Sequence, residues 1–206
     1  MADLKQFVKS YWEYFLELEK QLIETKRYVD FDKSNYKTYS IEYLKLYQAV
    51  CSEVDVVAKE IASAINPTFK VDNSTNILKW GYEIQQQFPT IKFEKVIFNE
   101  STEIVPFDNW EYEWMTTKDG KRRLKLVEGC KTPVWWRNYN DVKHQRIGLV
   151  AGTKNFQLAN QKNLISAFSA LFLLEQLYIF EIAHNNSLEC EKSILFSIKE
   201  EDNEIS

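Results

Sequence analysis

An arginine and a histidine seven positions apart are the residues of this chain best suited to chemistry. Arg137 and His144 have that spacing, and Asn138 directly follows the arginine. On a helix, seven residues make almost two full turns, so both side chains would project from one face, about 10 Å apart along the axis. Because arginine binds phosphate through two N–H groups and histidine exchanges protons near neutral pH, one helix would display both functions.

The two side chains match what RNA cleavage without a metal ion requires. The reaction needs a base for the 2′-hydroxyl, an acid for the departing 5′-oxygen, and positive charge over the phosphoryl oxygens. A separation of about 10 Å along one helix keeps the two groups apart unless the arginine folds along the helix surface. Two copies related by a twofold axis would instead place Arg137 of each chain near His144 of the other.

Polar and charged residues around this pair could assist its chemistry or simply interact with the pair. Asn138 projects about 100° from the arginine and could donate to phosphate or fix the arginine. Asp141 lies within one helical turn of both residues and could hold either. Lys143 and Arg146 flank the histidine, where they could bind a nucleic-acid backbone or repel a protonated imidazole. The alternative is an ordinary Arg137–Asp141 ion pair, worth about a few tenths of a kcal/mol.

The arrangement resembles the sequence motif of the HEPN family, the higher eukaryotes and prokaryotes nucleotide-binding domain. That motif is an arginine, four to six intervening residues and a histidine, usually with Asn, Asp or His in the first intervening position. Here six residues separate Arg137 from His144, and Asn138 occupies that first position. The resemblance implies a mainly α-helical, HEPN-like bundle that forms a symmetric homodimer, with both protomers contributing to one cleft.

The resemblance also implies a metal-independent endoribonuclease that acts by 2′-hydroxyl attack and leaves a cyclic phosphate, with no metal ion or cofactor. The residues assigned to catalysis are Arg137, Asn138 and His144, and those assigned to substrate binding are Asp141, Lys143 and Arg146. Such domains often act in toxin–antitoxin systems or antiviral defence, so an antitoxin or defence partner is expected. The alternative is a non-catalytic HEPN-like dimer that binds nucleotides or proteins, with the arginine and histidine held by contacts within their own chain.

Length and composition indicate one globular domain spanning residues 1–206. Hydrophobic residues make up 45% of the chain and aromatic residues 15%, which is enough to bury a sizeable core. The net charge of −4 is not typical of a nucleic-acid-binding protein. Residues 116–146 are the exception, because nine lysines and arginines stand there against three acidic residues. Any anion site is therefore expected in that segment.

Cysteine usage and apolar patterning indicate a cytoplasmic protein with no membrane association. The three cysteines are far apart and match neither a disulfide framework nor a zinc site. The N-terminus lacks the organisation of a signal peptide. The apolar run Leu164–Leu174 is too short to span a bilayer before Glu175 interrupts it, so we expect a central buried helix.

Periodicity predicts helices on both sides of a β-rich segment. Helices are expected from Asp3 to about Tyr28, from Ser40 to about Ile65 and from Ser74 to Gln87, the first two forming an antiparallel hairpin. A β-hairpin insertion at approximately residues 91–128 follows. Its strands are expected at Ile91–Phe98, Asn109–Met115 and Lys121–Val127, with a two-residue turn at Asp119-Gly120.

Helical signals return after the insertion. Thr132-Pro133 would begin the helix that carries Arg137 and His144, with the threonine as N-cap. Asn160 would begin an almost wholly apolar last helix, which belongs at a bundle centre or a dimer seam. A third interpretation of function is an interaction scaffold built on that helix. A final strand at Ser193–Lys199 would join the insertion.

Two further groups of residues have alternative interpretations. With a two-residue turn, Trp114 lies opposite Lys125 and would offer stacking and charge to single-stranded RNA. A shift of one residue sets Trp114 against Leu126 as ordinary packing, which we favour. Glu53 and Asp55 are either buried, with the arginine or histidine of the pair as partner, or part of a solvated helix face, which we favour.

Overall fold

The computed structural model describes residues 4–183 and 190–198, and this part of the chain is mainly α-helical with small antiparallel sheets. π-Helical turns at Val8–Trp12 and Leu177–Ile182 join α1 to α2 and extend α6. Asp3, where the first helix is predicted to begin, lies outside the described residues, as do His184 and the tail beyond residue 198. The helices are α1 (Leu4–Phe7), α2 (Glu13–Thr25), α3 (Ile41–Ile65), α4 (Ile77–Gln87), α5 (Val134–His144) and α6 (Gln161–Gln176).

Two parallel helices, α3 and α6, form the centre of the fold. A β-bridge between Tyr39 and Asn160 brings their first residues to the same end of the molecule. The segment Gln161–Ile182 has 22 residues and is long and apolar enough to cross a membrane, but 67% of its most apolar window is buried inside the protein. Such burial is typical of a core helix. α6 therefore lies at the bundle centre, one of the two positions predicted for it.

Capping side chains set the start of α3, α4 and α6. The side chains of Ser40 and Asn160 each accept a hydrogen bond of 3.0 Å from a backbone N–H in the first turn of α3 and α6, as predicted. α4 begins later than predicted, because Asn76 caps it (3.0 Å). Ser74 lies outside the helix, where its backbone N–H donates to the Asp72 carboxylate (2.7 Å).

The first helical segment runs antiparallel to α3, as predicted. Thr25 and Ser40 line one cleft at one end of the pair. At the other end the pKa of Tyr11 is raised by burial and then by the nearby charges of Glu60 and Glu53. The two helices do not form an isolated hairpin, however, because α3 packs more extensively on α6 and α4 than on α2.

The predicted β-insertion contains two separate sheets instead of one hairpin. β1 (Val96–Phe98) lies between β2 (Thr102–Ile104) and β7 (Phe196–Ile198), so the C-terminal strand joins the insertion as predicted. β3 (Tyr112–Thr116) pairs with β4 (Arg122–Leu126) in a second sheet, and β5 (Leu149–Val150) pairs with β6 (Thr153–Lys154) beyond α5. Ile91 lies outside the first strand, because Pro89 begins a 3₁₀ turn over Pro89–Lys92.

The β3–β4 hairpin has a register that differs from both predicted registers. Trp114 lies opposite Leu124, because a longer loop joins the strands and Gly120 adopts a φ of +77° within it. The Arg122 guanidinium lies over the Trp114 ring, 4.9 Å from its centroid. One face of that ring is therefore covered by the chain's own cation, and the predicted stacking ribbon opposite Lys125 is not formed.

The β3–β4 sheet packs on α4 at a glycine. A Cβ added at Gly81 would lie 2.4 Å from Cζ2 of Trp110, whose side chain is fully buried and stacked on Phe107. We expect Gly81→Ala to lower the free energy of unfolding by about 1–3 kcal/mol in urea denaturation, because the overpacking exceeds the gain in helix propensity. Gln86→Ala, at an exposed position of α4, should change it by less than about 0.5 kcal/mol. Equal stability of parent and Gly81→Ala would contradict this packing.

Candidate functional site

Arg137 and His144 lie on the exposed side of α5, which begins at Val134 and ends at His144. Seven residues of helix place the two side chains within about 20° of each other around the axis and about 10 Å apart along it. The predicted helix is thus present, but it begins one residue later than expected. Pro133 is the residue before the first turn, in an extended conformation with a ψ of 134°, and no side chain caps the helix.

Aromatic packing fixes the inner side of α5. Trp135 and Trp136 are both buried. The Trp135 indole N–H donates to the carbonyl of Pro106 (2.7 Å), and the Tyr47 hydroxyl donates to the carbonyl of Trp135. Trp136 meets Trp80 edge to face at 5.7 Å. The helix that carries the pair therefore has little freedom to rotate or slide.

A buried asparagine fixes the other end of α5. The Asn155 side-chain amide donates to the carbonyls of Asp141 (3.3 Å) and Gln145 (2.8 Å), in addition to the backbone N–H groups that these carbonyls already accept at the end of the helix. Lys143 bends back over the Tyr139 ring, with its ammonium 5.5 Å from the centroid. Lys143 and His144 also lie in the last turn, where positive charge is favourable for the helix dipole.

Tyr139 is not a candidate for proton transfer. Burial, followed by the charges of Cys51 and Asp55, raises the pKa of its phenol to about 12. The hydroxyl therefore stays protonated at neutral pH and cannot serve as a general base there.

The exposed pair has no partner in the part of the chain that the structure describes. Neither Arg137 nor His144 makes a hydrogen bond or ion pair through its side chain with residues 4–183 or 190–198. The alternative prediction, an ion pair between Arg137 and Asp141, is not formed in the described structure, although the half-buried Asp141 lies one helical turn away. Both side chains are therefore available to an external ligand.

The carboxylates of α3 do not reach the pair. Asp55 forms an ion pair with Lys59 and accepts a hydrogen bond from the indole N–H of Trp80 (2.9 Å). Glu53 is half-buried, and burial raises its pKa. The prediction that both residues lie on a solvated helix face is therefore incomplete, because Asp55 has specific partners inside the fold.

A cleft of about 1010 Å³ opens beside α5. Val134, Trp135 and Asn138 form its α5 side, so Asn138 is the one member of the six predicted site residues that lines it. Arg146, beyond the end of α5, is exposed, as are the arginine and histidine. Within one chain, the six predicted residues therefore share one helix and its end but do not share one cavity.

Four lysines line this cleft, and we refer to it as the lysine cleft. They are Lys33, Lys37, Lys131 and Lys162. Only Lys131 falls within residues 116–146, the segment in which an anion site is expected. The other three come from two distant segments that the bridge between Tyr39 and Asn160 brings together. A count of charges along the chain could not find them.

Comparisons with models of protein families, with curated proteins and with solved structures find no match for this chain.

Proposed function

We propose that this protein is a metal-independent endoribonuclease with a HEPN-like bundle, acting as a cytoplasmic homodimer. One observation carries the proposal. Arg137 and His144 project from the same exposed side of a rigidly packed helix and have no side-chain partner among the described residues.

The proposed reaction is an internal transesterification. His144 of one protomer takes the proton of the 2′-hydroxyl, and the 2′-oxygen forms a bond to phosphorus. The bond from phosphorus to the 5′-oxygen breaks, and that oxygen takes the proton back from the same His144, which regenerates the histidine. Arg137 neutralises the phosphoryl oxygens as their charge grows. The products are a 2′,3′-cyclic phosphate and a 5′-hydroxyl, so atoms and protons balance without an added co-reactant.

A twofold axis beside α5 would resolve the separation of the two groups. Within one chain about 10 Å of helix separates them, whereas an isologous contact between two α5 helices would pair the arginine of each with the histidine of the other. Asn138 would donate to the phosphate, and Asp141 would bind the RNA by accepting a hydrogen bond from one of its hydroxyl groups. Lys143 and Arg146 would hold the RNA backbone beside the cut.

The biological setting follows from the family resemblance alone. HEPN-like ribonucleases often act as toxins or in antiviral defence, so the proposed role is of that type, with an antitoxin or a defence partner. A chain of net charge −4 does not bind RNA by bulk attraction, which agrees with a localised site.

The test is cleavage of short labelled RNA by the purified protein in EDTA. We expect cleavage that leaves 2′,3′-cyclic ends, and a rate lowered about 10²-fold or more in both Arg137→Ala and His144→Ala. Arg27→Ala, which removes another exposed arginine, is the matched control and should cleave like the parent. Circular dichroism would show that all variants are folded.

A non-catalytic nucleotide-binding dimer is the second candidate, and the lysine cleft favours it, because binding there does not require the arginine or the histidine. In that case the parent protein would bind RNA in EDTA without cutting it. Equal cleavage by the parent and both variants would remove the assigned catalytic roles.

A further inference from the structure

We propose that the lysine cleft binds single-stranded RNA through its backbone phosphates and leads the strand over Asn138 to Arg137. The inference rests on the proposed function for the place of the cut. The binding itself is argued from the cleft.

The charge balance inside the cleft is the first argument. Its two acidic residues are both neutralised, since Glu103 pairs with Lys95 (2.9 Å) and Asp108 with Lys131 (3.5 Å). The remaining lysines have no ion pair within residues 4–183 and 190–198, and they are Lys33, Lys37 and Lys162. The charge of Lys33 is partly offset by the neighbouring Asp32 carboxylate, whereas Lys37 and Lys162 have no such neighbour among the described residues. Positive charge on a concave surface attracts anions even though the whole chain is negative.

The walls of the cleft are held in place before any ligand binds. The backbone N–H groups of Gln161 and Lys162 donate to the carbonyls of Thr38 (2.9 Å) and Tyr36 (3.2 Å). This joins the Lys33–Lys37 wall to the first turn of α6. The opposite wall is held by the hydrogen bond from Trp135 to Pro106. Lysine side chains on fixed backbone lose less freedom on binding than those on a loose loop would.

The uncharged lining fits a nucleic-acid strand better than a simple anion. Asn138, Asn160 and Ser34 offer amides and a hydroxyl, which can donate hydrogen bonds to ribose oxygens and to base edges. Val134, which is 43% exposed, and the half-buried Ile104 supply apolar surface on which a base can pack. The volume of about 1010 Å³ is at the upper end of the range of roughly 300–1,000 Å³ for small-molecule sites, so the cleft has room for more than one nucleotide.

Asn138 connects the cleft to the catalytic pair. It lines the cleft, and Arg137 is the preceding residue, about 100° away around the helix axis. A strand that leaves the cleft past Asn138 therefore meets the arginine next. In this arrangement the lysines set which nucleotides are held, and the pair sets which phosphate reacts.

The test measures binding separately from cleavage. A fluorescein-labelled decamer with 2′-O-methyl groups throughout lacks the attacking hydroxyl, so its binding can be followed by anisotropy in EDTA at several salt concentrations. The test protein is the triple variant Lys33→Ala/Lys37→Ala/Lys162→Ala. We expect its affinity to fall on the order of 10-fold or more, and its salt dependence to become shallower by about two in log–log slope.

The control removes three exposed lysines elsewhere, in Lys5→Ala/Lys9→Ala/Lys70→Ala. Phe7, between the first two, stacks on Tyr178 at the far end of the central helix, and Lys70 follows the C-terminal end of α3. This variant has the same net charge as the test protein and should bind like the parent.

Each outcome decides between the two proposals. Equal binding by the parent and the cleft variant would overturn the cleft as the RNA site, whatever the cleavage assay gives. Equal losses in both triple variants would do the same, because the effect would then be bulk charge. A protein that binds adenosine monophosphate but not the decamer would also overturn the cleft as an RNA site. Cleft-dependent binding of the decamer by a protein that never cleaves RNA would support the cleft and defeat the proposed ribonuclease.

Discussion

A heterodimer of Arg137→Ala with His144→Ala is expected to recover about half of the parent cleavage rate, although each variant alone is inactive. The two variants would carry different affinity tags, so that successive purification on both tags isolates the mixed dimer. Cleavage of labelled RNA in EDTA would then be compared at equal dimer concentration. Recovery from two inactive proteins is a large signal against a very low background.

The reason is the arrangement of the composite site. If each site takes its arginine from one protomer and its histidine from the other, the mixed dimer has one site with both substitutions and one with neither. The intact site should work at the parent rate. If each site used the arginine and histidine of a single chain, both sites of the mixed dimer would lack one group and activity would stay lost.

A matched control separates recovery from a nonspecific effect of mixing. The double variant Arg137→Ala/His144→Ala, paired with either single variant, has no intact site in either arrangement. It should therefore remain inactive. An inactive mixed dimer of the two single variants would contradict the composite site while leaving open catalysis within one chain.

Local signals in the sequence were enough to predict the central helices. Ser40 and Asn160 are each followed by long helical periodicity, and both form the expected N-cap hydrogen bonds. The alternation near the C-terminus predicted β7, which pairs with β1. The starts of these helices are determined by hydrogen bonds within a few residues, and the alternation that predicts β7 is equally local, although its pairing with β1 joins distant residues.

Features that depend on distant residues were not predictable in the same way. The register of the β3–β4 hairpin depends on the length of its loop, which is longer than the two-residue turn expected at Asp119-Gly120. The lysine cleft needs the 33–37 segment beside the first turn of α6, which only tertiary hydrogen bonds reveal. The helix bearing Arg137 and His144 was predictable, but the absence of an Arg137–Asp141 ion pair within the described residues was not.

A buried acid in α6 is expected to make the stability of the fold depend strongly on pH. Glu175 is fully buried, and neither of its carboxyl oxygens has a hydrogen-bond partner in the part of the chain that the structure describes. Burial, and then the nearby charge of Glu53, holds its pKa well above the ordinary value. The side chain is therefore protonated in the folded protein over a pH range in which it is ionised in the unfolded chain.

The direction of the effect follows from proton binding. Above the pKa of the unfolded chain, about 4.3, unfolding of the parent releases a proton from Glu175. The free energy of unfolding should therefore fall by up to about 1.4 kcal/mol per pH unit as pH rises toward the raised pKa of the folded state. The stabilising contribution is complete below the unfolded pKa and is lost with increasing pH.

Glu175→Gln should remove this dependence, because glutamine stays neutral and has nearly the same shape. In urea denaturation at pH 5, 6, 7 and 8, we expect parent and variant to be similar at pH 5 and the variant to be increasingly more stable above it. Glu181→Gln, at an exposed position on the π-helical extension of α6, is the matched control and should follow the parent at every pH. Parallel pH profiles for the parent and Glu175→Gln would mean that Glu175 finds a partner for its charge. The centre of the fold would then tolerate an ionised group that its described surroundings leave unpaired.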